Sequence, residues 1–264
     1  MPDVMVEYAP YIECKEIDVE QLSRIPSHWT VLRFRNAFSF GRGLSITKDD
    51  LQENGIPCVT YGEIHSKFGF EIDPHKHVLK CVSKHFLKKN KSSLLSLGDF
   101  IFADTSEDIE GSGNFTQLIR DIVVFAGYHT VIARPVGEEN NRRFLAYLFD
   151  STAFRSQVRK VVKGVKVYSI TQSILKNTRI WLPLISEQNA ISSFLDNKVA
   201  LVGAAISAKE KQIILLKERK QILVQNAVTL GLNSDTPMRD SGVEWIGSVP
   251  EHWKVKRLKY GKRL

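Results

Sequence analysis

The 264-residue chain has three cysteines, Cys14, Cys58 and Cys81, and no Cys-x-x-Cys pair. An odd, widely spaced set fits reduced thiols rather than a disulfide framework. No stretch approaches the roughly 18 apolar residues of a membrane span, and the opening MPDVMVEYAPYIECKE has no basic region followed by an apolar run. A cytoplasmic protein without a membrane partner is therefore expected. The phosphate-binding G-x-x-x-x-G-K-[ST] and G-x-G-x-x-G, the nucleophile elbow G-x-S-x-G and the zinc motif H-E-x-x-H are all missing. So are the dipeptides Asn-Pro and Pro-Pro, and with them the catalytic motifs of amino-methyltransferases. A non-catalytic chain is expected.

One cluster imitates a metal site. His75, His77, Cys81 and His85 offer four ligands of suitable softness. Lys76, Lys80 and Lys84 lie among them and oppose a cation, so the reading is a solvated or phosphate-facing surface with no metal.

Positive charge is present in excess. The net charge is +8 and the pI near 9.3, which favours an anionic partner, because clustered Lys and Arg release counterions from a phosphate backbone. The excess is concentrated in KHVLKCVSKHFLKKNK (76 to 91), in RSQVRKVVKGVK (155 to 166) and in KVKRLKYGKR (254 to 263), none of which contains an acid. DNA or RNA becomes the preferred partner. The loop TSEDIEGSGN (105 to 114) is acidic and ill suited to phosphate, yet carboxylates can accept from cytosine N4 in the major groove.

The sequence also repeats itself. Val19, Glu20, Pro26, His28, Trp29, Val31 and Arg33 recur as Val243, Glu244, Pro250, His252, Trp253, Val255 and Arg257, always 224 residues later. Solenoid units run to roughly 20–50 residues, so this is a domain-sized repeat whose second copy has only begun.

Residues 1–18 read as an arm. From 19 to 186 the pattern is short and mixed, an α+β globule. Strands are expected at 30–34, 57–61, 99–103, 121–126 and 130–135, and helices at 142–154 and around 83–89. Beyond Pro183 the pattern changes to one long helix region over 187–232, with no proline and, apart from Gly203, no glycine before Gly231. Val199, Val202, Ile206, Ile213, Leu216, Leu223, Ala227 and Leu230 follow a three-four alternation broken by Lys209 and Lys220. That is a heptad seam for a partner helix, not the 3.6-residue repeat of a helix lying on its own core. Residues 233–264 are a linker and the start of the second copy.

Taken in order, IPSHWTVLRF, GIPCVTYGEI, LSLGDFIFA, GYHTVIARP, a helix through Phe154, KVYSITQSILKNTRIWLPLISEQNAISSFLD and a heptad helix ending AVTLGL resemble the specificity subunits of type I restriction-modification systems. The most specific pieces are Pro-x-His-Trp before a strand and Leu182-Pro183 followed by Glu187-Gln188. The resemblance implies a globular target-recognition domain at 19–186, a long coiled-coil spacer helix and a short repeat stub. It implies two recognition domains in the usual member, each reading half of a split DNA target, with two helices packed antiparallel. The subunit would bind no cofactor itself. It would recruit two adenine methyltransferase subunits, which use S-adenosylmethionine, and through them restriction subunits that use ATP and Mg.

This sequence holds one recognition domain and the beginning of another, so a half subunit that pairs with itself and reads an interrupted palindrome is the expectation. The alternative is a homodimeric DNA-binding protein, or a fragment that perturbs a full-length subunit without supporting modification. Expected DNA contacts are Tyr61, Lys67, Ser106, Asn114, Tyr128, His129, Arg159, Lys160, Lys163, Lys166 and Tyr168. Phe194, Leu195, Val199, Val202, Ile206, Ile213, Leu216, Leu223 and Leu230 are expected on the helix interface. Pro26, His28, Trp29, Trp245, Pro250 and Trp253 are expected to pack the two copies of the repeat, the second near the start of a recognition domain.

Overall fold

Phe34 is fully buried in the computed structural model, which describes residues 11, 13–19, 21–164 and 166–256. Its ring meets those of Phe38, Phe40, Phe102, Phe149 and Phe154 at centroid distances of 4.5 to 5.9 Å, mostly edge to face. This aromatic cluster joins one face of a five-stranded sheet to the helices behind it. The sheet runs Phe38–Arg42, Thr130–Pro135, Phe100–Ala103, Phe115–Leu118, Phe70–Ile72, and only its last pair is parallel. Four shorter strands, Cys81–Val82, Ile56–Val59, Val124–Ala126 and Leu94–Leu95, form a second sheet. Val59, Ile64, Leu118, Ala126 and Ile132 belong to a further apolar core. The α+β class is as expected.

Each expected strand is present: Thr130–Pro135 has the expected bounds, Ile56–Val59 starts one residue early and ends two short, and Thr30–Arg33, Phe100–Ala103 and Val124–Ala126 are trimmed at one end. The expected helix at 142–154 is instead two helices, Arg142–Asp150 and Thr152–Val161. Ser151 divides them: its backbone is extended, and its Oγ accepts from Phe154 N at 3.2 Å, so it caps the second helix rather than continuing the first. Around 83–89 the helix is shorter than expected, Phe86–Lys89.

The chain divides into two compact units, Met1–Phe194 and Leu195–Leu264. Part of the expected arm is a strand: Cys14–Val19 pairs with Leu22–Pro26 as a hairpin, while residues 1–10 lie outside those described. The long helix spans Ile185–Leu230, 46 residues and ~69 Å at 1.5 Å per residue. Its start explains the Leu-Pro and Glu-Gln motif. Gln188 is buried, accepts from Asn141 N at 2.9 Å and donates to Pro183 O at 2.9 Å and Asn140 Oδ1 at 3.0 Å.

Glu187 is held by three donors from the N-terminal segment. The Tyr11 hydroxyl donates to Oε1, Trp29 Nε1 donates to Oε2 at 3.1 Å, and His28 Nε2 stands 2.9 Å from Oε2. Burial alone would raise the Glu187 carboxyl, but the donors Tyr11, His28 and Trp29 together hold it below the usual carboxylate range. The same carboxylate is the main reason that Tyr11 is pushed up to about 12. A depressed folded-state value means that this contribution to stability is present above the unfolded carboxylate value and fades as pH falls through the folded one. Glu187→Gln should therefore cost about 1–2 kcal/mol at neutral pH, with the difference from the parent chain shrinking below the ordinary glutamate range. Urea melts at a series of pH values check this.

The second copy of the repeat folds like the first. Met238–Asp240 pairs with Ser248–Pro250, and its partners Met238↔Pro250, Arg239↔Val249 and Asp240↔Ser248 lie at the same 224-residue offset from Cys14↔Pro26, Lys15↔Ile25 and Glu16↔Arg24. Trp29 N donates to Pro26 O at 3.0 Å and Trp253 N to Pro250 O at 2.8 Å. Even the basic side chain is reproduced: Lys15 Nζ donates to Trp29 O, and Arg239 Nη2 to Trp253 O at 2.6 Å. Val249 and Pro250 are buried within the second unit, whereas Trp245 is 80% exposed. Arg257 and the rest of the last basic run lie outside the described residues.

Candidate nucleic-acid interface

Thr60 and Glu63 cap the short helix Tyr61–Ser66, with Glu63 Oε2 accepting from Thr60 N at 3.1 Å and from its hydroxyl at 3.2 Å. The cap fixes the first turn, and Tyr61 and His65, four residues apart, share one face with ring centroids at 6.2 Å. Against Tyr61 stand Tyr128 at 5.7 Å and His129 at 5.2 Å, from the turn between Val124–Ala126 and Thr130–Pro135. That turn is closely constrained. A Cβ at Gly127 would come within 2.9 Å of Cys58 Sγ and of Thr60 Cγ2, and His129 has a φ of 55°, a left-handed conformation uncommon outside glycine. His129 Nδ1 is 3.1 Å from Asp104 Oδ1, which also accepts from the Thr105 hydroxyl at 2.7 Å. Burial, first of several causes, lifts the Tyr128 phenol above its ordinary value, so it remains protonated at neutral pH.

The acidic loop is anchored from beneath. Thr105–Ser106 pairs with Tyr168–Ser169, bringing Ser106 opposite Tyr168. Asp108 Oδ1 accepts from Gly111 N at 2.6 Å, and Asn114 N donates to Gly111 O at 2.9 Å. Asn114 then joins a chain of fixed polarity. Arg155 Nη1 donates to Asn114 Oδ1 at 2.5 Å, leaving Asn114 Nδ2 to donate to His65 Nδ1 at 2.9 Å. His65 Nε2, 2.8 Å from the Thr105 carbonyl oxygen, must carry the ring proton. Arg155 is braced in turn by Asp150 at 2.7 Å.

Two concavities open on this surface. Tyr61, His65, Asp108, Gly111 and Asn114 line one of about 520 Å³. Arg42, Asp104, Tyr128, His129 and Ser169 line the other, of about 430 Å³. Of the expected DNA contacts, Tyr61, Asn114, Tyr128 and His129 thus converge from distant parts of the sequence, and Tyr168 stands at the edge. Ser106 is only 2% exposed and backs the wall. Arg159 donates to Glu110 O, bracing the loop. Lys67 ends the capped helix and, like Lys163 and Lys166, is exposed. Lys160 lines a separate concavity with Asp18 and Asn177.

His65, Asp104 and Arg155 were not among the expected residues. The four-residue spacing of His65 from Tyr61 was a usable signal; nothing local marks the other two. The side chains of the imitation metal site have other partners. His77 stacks on Phe68 at 4.8 Å and accepts from Asp73 N, while Cys81 is buried in a strand. Among the described residues no group of three or more His, Cys, Asp or Glu stands ready to hold a metal. Nor is any described helix long and apolar enough to cross a membrane.

On the long helix, Val202, Ile206, Ile213, Leu216 and Leu223 are each more than half exposed. Phe194 and Leu195, at the start of the expected seam, are half-buried. A second apolar stripe, Leu201, Leu215 and Ile222 with Ile214 and Val228, is also exposed on the helix outside the seam positions.

Comparison with known proteins points the same way. Residues 26–214 match the type I restriction modification DNA specificity domain. The type I restriction enzyme MjaVIII specificity subunit of Methanocaldococcus jannaschii is 25% identical over 214 residues, 80% of this chain and 48% of that protein. The chain spans about half the length of the curated relatives it matches. Among solved structures, a chain from a study of complex assembly and conformational transition of the type I R-M system has a TM-score of 0.60 at 19% identity, covering 79% of this chain and 47% of that one. The HsdS subunit from Thermoanaerobacter tengcongensis has a TM-score of 0.52 at 18% identity, over 81% and 48%. At such identity these structures speak for the fold. The family match covers most of the chain: it belongs to the type I restriction modification DNA specificity domain family.

Proposed function

We propose that residues 19–186 read one half of a split target in double-stranded DNA, and that the chain specifies where a type I modification complex acts without catalysing a step itself. The observation that carries this reading is the convergence of Tyr61, His65, Asn114, Tyr128 and His129 on one surface. Their amide, imidazole and phenol groups suit base edges, and exposed lysines such as Lys67, Lys163 and Lys166 suit phosphates.

The exposed heptad seam supports self-association through the long helix, and a twofold dimer would read an interrupted palindrome. The second stripe, around Leu215 and Ile222, supports docking of adenine methyltransferase subunits, two per dimer. Those subunits would supply S-adenosylmethionine chemistry and carry the ATP- and Mg-dependent restriction subunits.

The test is a map of adenine methylation in cells holding the methyltransferase subunit, with and without this chain. Methylation that depends on the chain and falls at an interrupted palindrome is expected. Chain-dependent methylation at an asymmetric bipartite site would rule out the symmetric dimer, and no chain-dependent methylation would rule out the specificity role.

A further inference from the structure

The two copies of the Pro-x-His-Trp hairpin share a register and grip opposite ends of the long helix. Through His28 and Trp29 the first copy holds Glu187, in the opening turn. The second copy closes over the helix end: a Cβ at Gly231 would lie 3.5 Å from the Pro250 ring and 3.7 Å from Trp253. Gly231 itself, with φ of 81°, stops the helix in the left-handed conformation. His252 is exposed and Trp253 half-buried. Among the described residues no carboxylate accepts from either.

The first hairpin thus stands beside a helix start and the second, in the same register, beside a helix end. We propose that the C-terminal hairpin is a second clamp for the helix-start glutamate, and that it takes Glu187 of a second copy of this chain, bracketing one helix end to its partner's start. The inference rests on the self-association proposed above. Two helices of 46 residues lying antiparallel with matched ends bring Gly231 of one beside Glu187 of the other. The chemistry also fits, since a carboxylate with imidazole and indole donors is the arrangement already made in the first copy. The copies differ in one respect. The counterpart of Tyr11 is Asp235, so the second clamp offers two donors against three. Each glutamate then has two competing clamps, the one in its own chain being the stronger.

The test uses the full chain with Cys14, the exposed thiol, changed to serine; Cys58 and Cys81 are buried. Chains carrying His252→Cys are mixed with isotope-labelled chains carrying Glu187→Cys and treated with a short bis-maleimide. The expected product joins position 252 to position 187 of differently labelled chains. A chain that sediments as a dimer yet gives no such product overturns the clamp and leaves self-association standing. A chain that sediments as a monomer overturns both. With Glu187 intact and His28→Ala opening its own clamp, His252→Ala combined with Trp253→Phe should weaken self-association about tenfold. Trp245→Ala, at an exposed position of the same hairpin, should not. Equal effects of the two changes would count against a specific clamp.

Discussion

Replacing Leu216 and Leu223 together by glutamate should abolish the proposed pairing of the long helices and leave the chain monomeric at any ordinary working concentration. Both side chains lie on the three-four seam and are more than half exposed, so within one chain the substitution removes little packing. In a helix pair it places four carboxylates at positions built for leucine. A buried unpaired charge costs about 3–5 kcal/mol, and every 1.4 kcal/mol is tenfold in affinity, so a loss of at least ~10³-fold is expected. Sedimentation across a concentration series measures it. Leu215→Glu is the matched comparison, because Leu215 is equally exposed but lies on the other stripe; it should leave the dimer intact and weaken docking of the methyltransferase subunit. If Leu215→Glu dissociates the chain and the seam variant does not, the two stripes have been assigned the wrong way round.

How much of this was legible beforehand follows from the range of the forces involved. The long helix was, because its apolar spacing is local and the sequence offers few interruptions. The repeat was, because its Pro, His and Trp keep one offset throughout, but its hairpin was not, since Cys14–Val19 read as part of an arm. The division at Ser151 was not: whether a serine continues a helix or caps a new one depends on the next turn, where Phe154 has to enter the Phe34 cluster. Tyr61, Asn114, Tyr128 and His129 were readable as residue types suited to bases, but not as neighbours. Their meeting depends on the parallel pairing of Val124–Ala126 with Ile56–Val59 and on the pairing of Thr105–Ser106 with Tyr168–Ser169, contacts between distant segments. Arg155 shows the limit most clearly. In the sequence it is one basic residue in a basic run, and in the fold it is committed to Asn114 and Asp150.

That commitment sets the second large effect. Asn114→Ala should lower affinity for the cognate half-site by about 5–150-fold, or 1–3 kcal/mol, and leave binding to unrelated DNA nearly unchanged. The asparagine links Arg155 on one side to His65 on the other. Its loss removes a polar group beside the concavity proposed to read bases and also frees His65 Nδ1 and Arg155 Nη1 from the partners that fix them. Lys67→Ala should behave differently. Lys67 is an exposed cation at the end of the capped helix, and losing a phosphate contact weakens all sequences alike and reduces the salt slope by about one. Titrations of cognate and scrambled duplexes at several salt concentrations separate the two patterns. If Asn114→Ala lowered both affinities equally and flattened the salt slope, the residue would be acting on the backbone, and base reading would have to be assigned to the Tyr128 and His129 side of the surface.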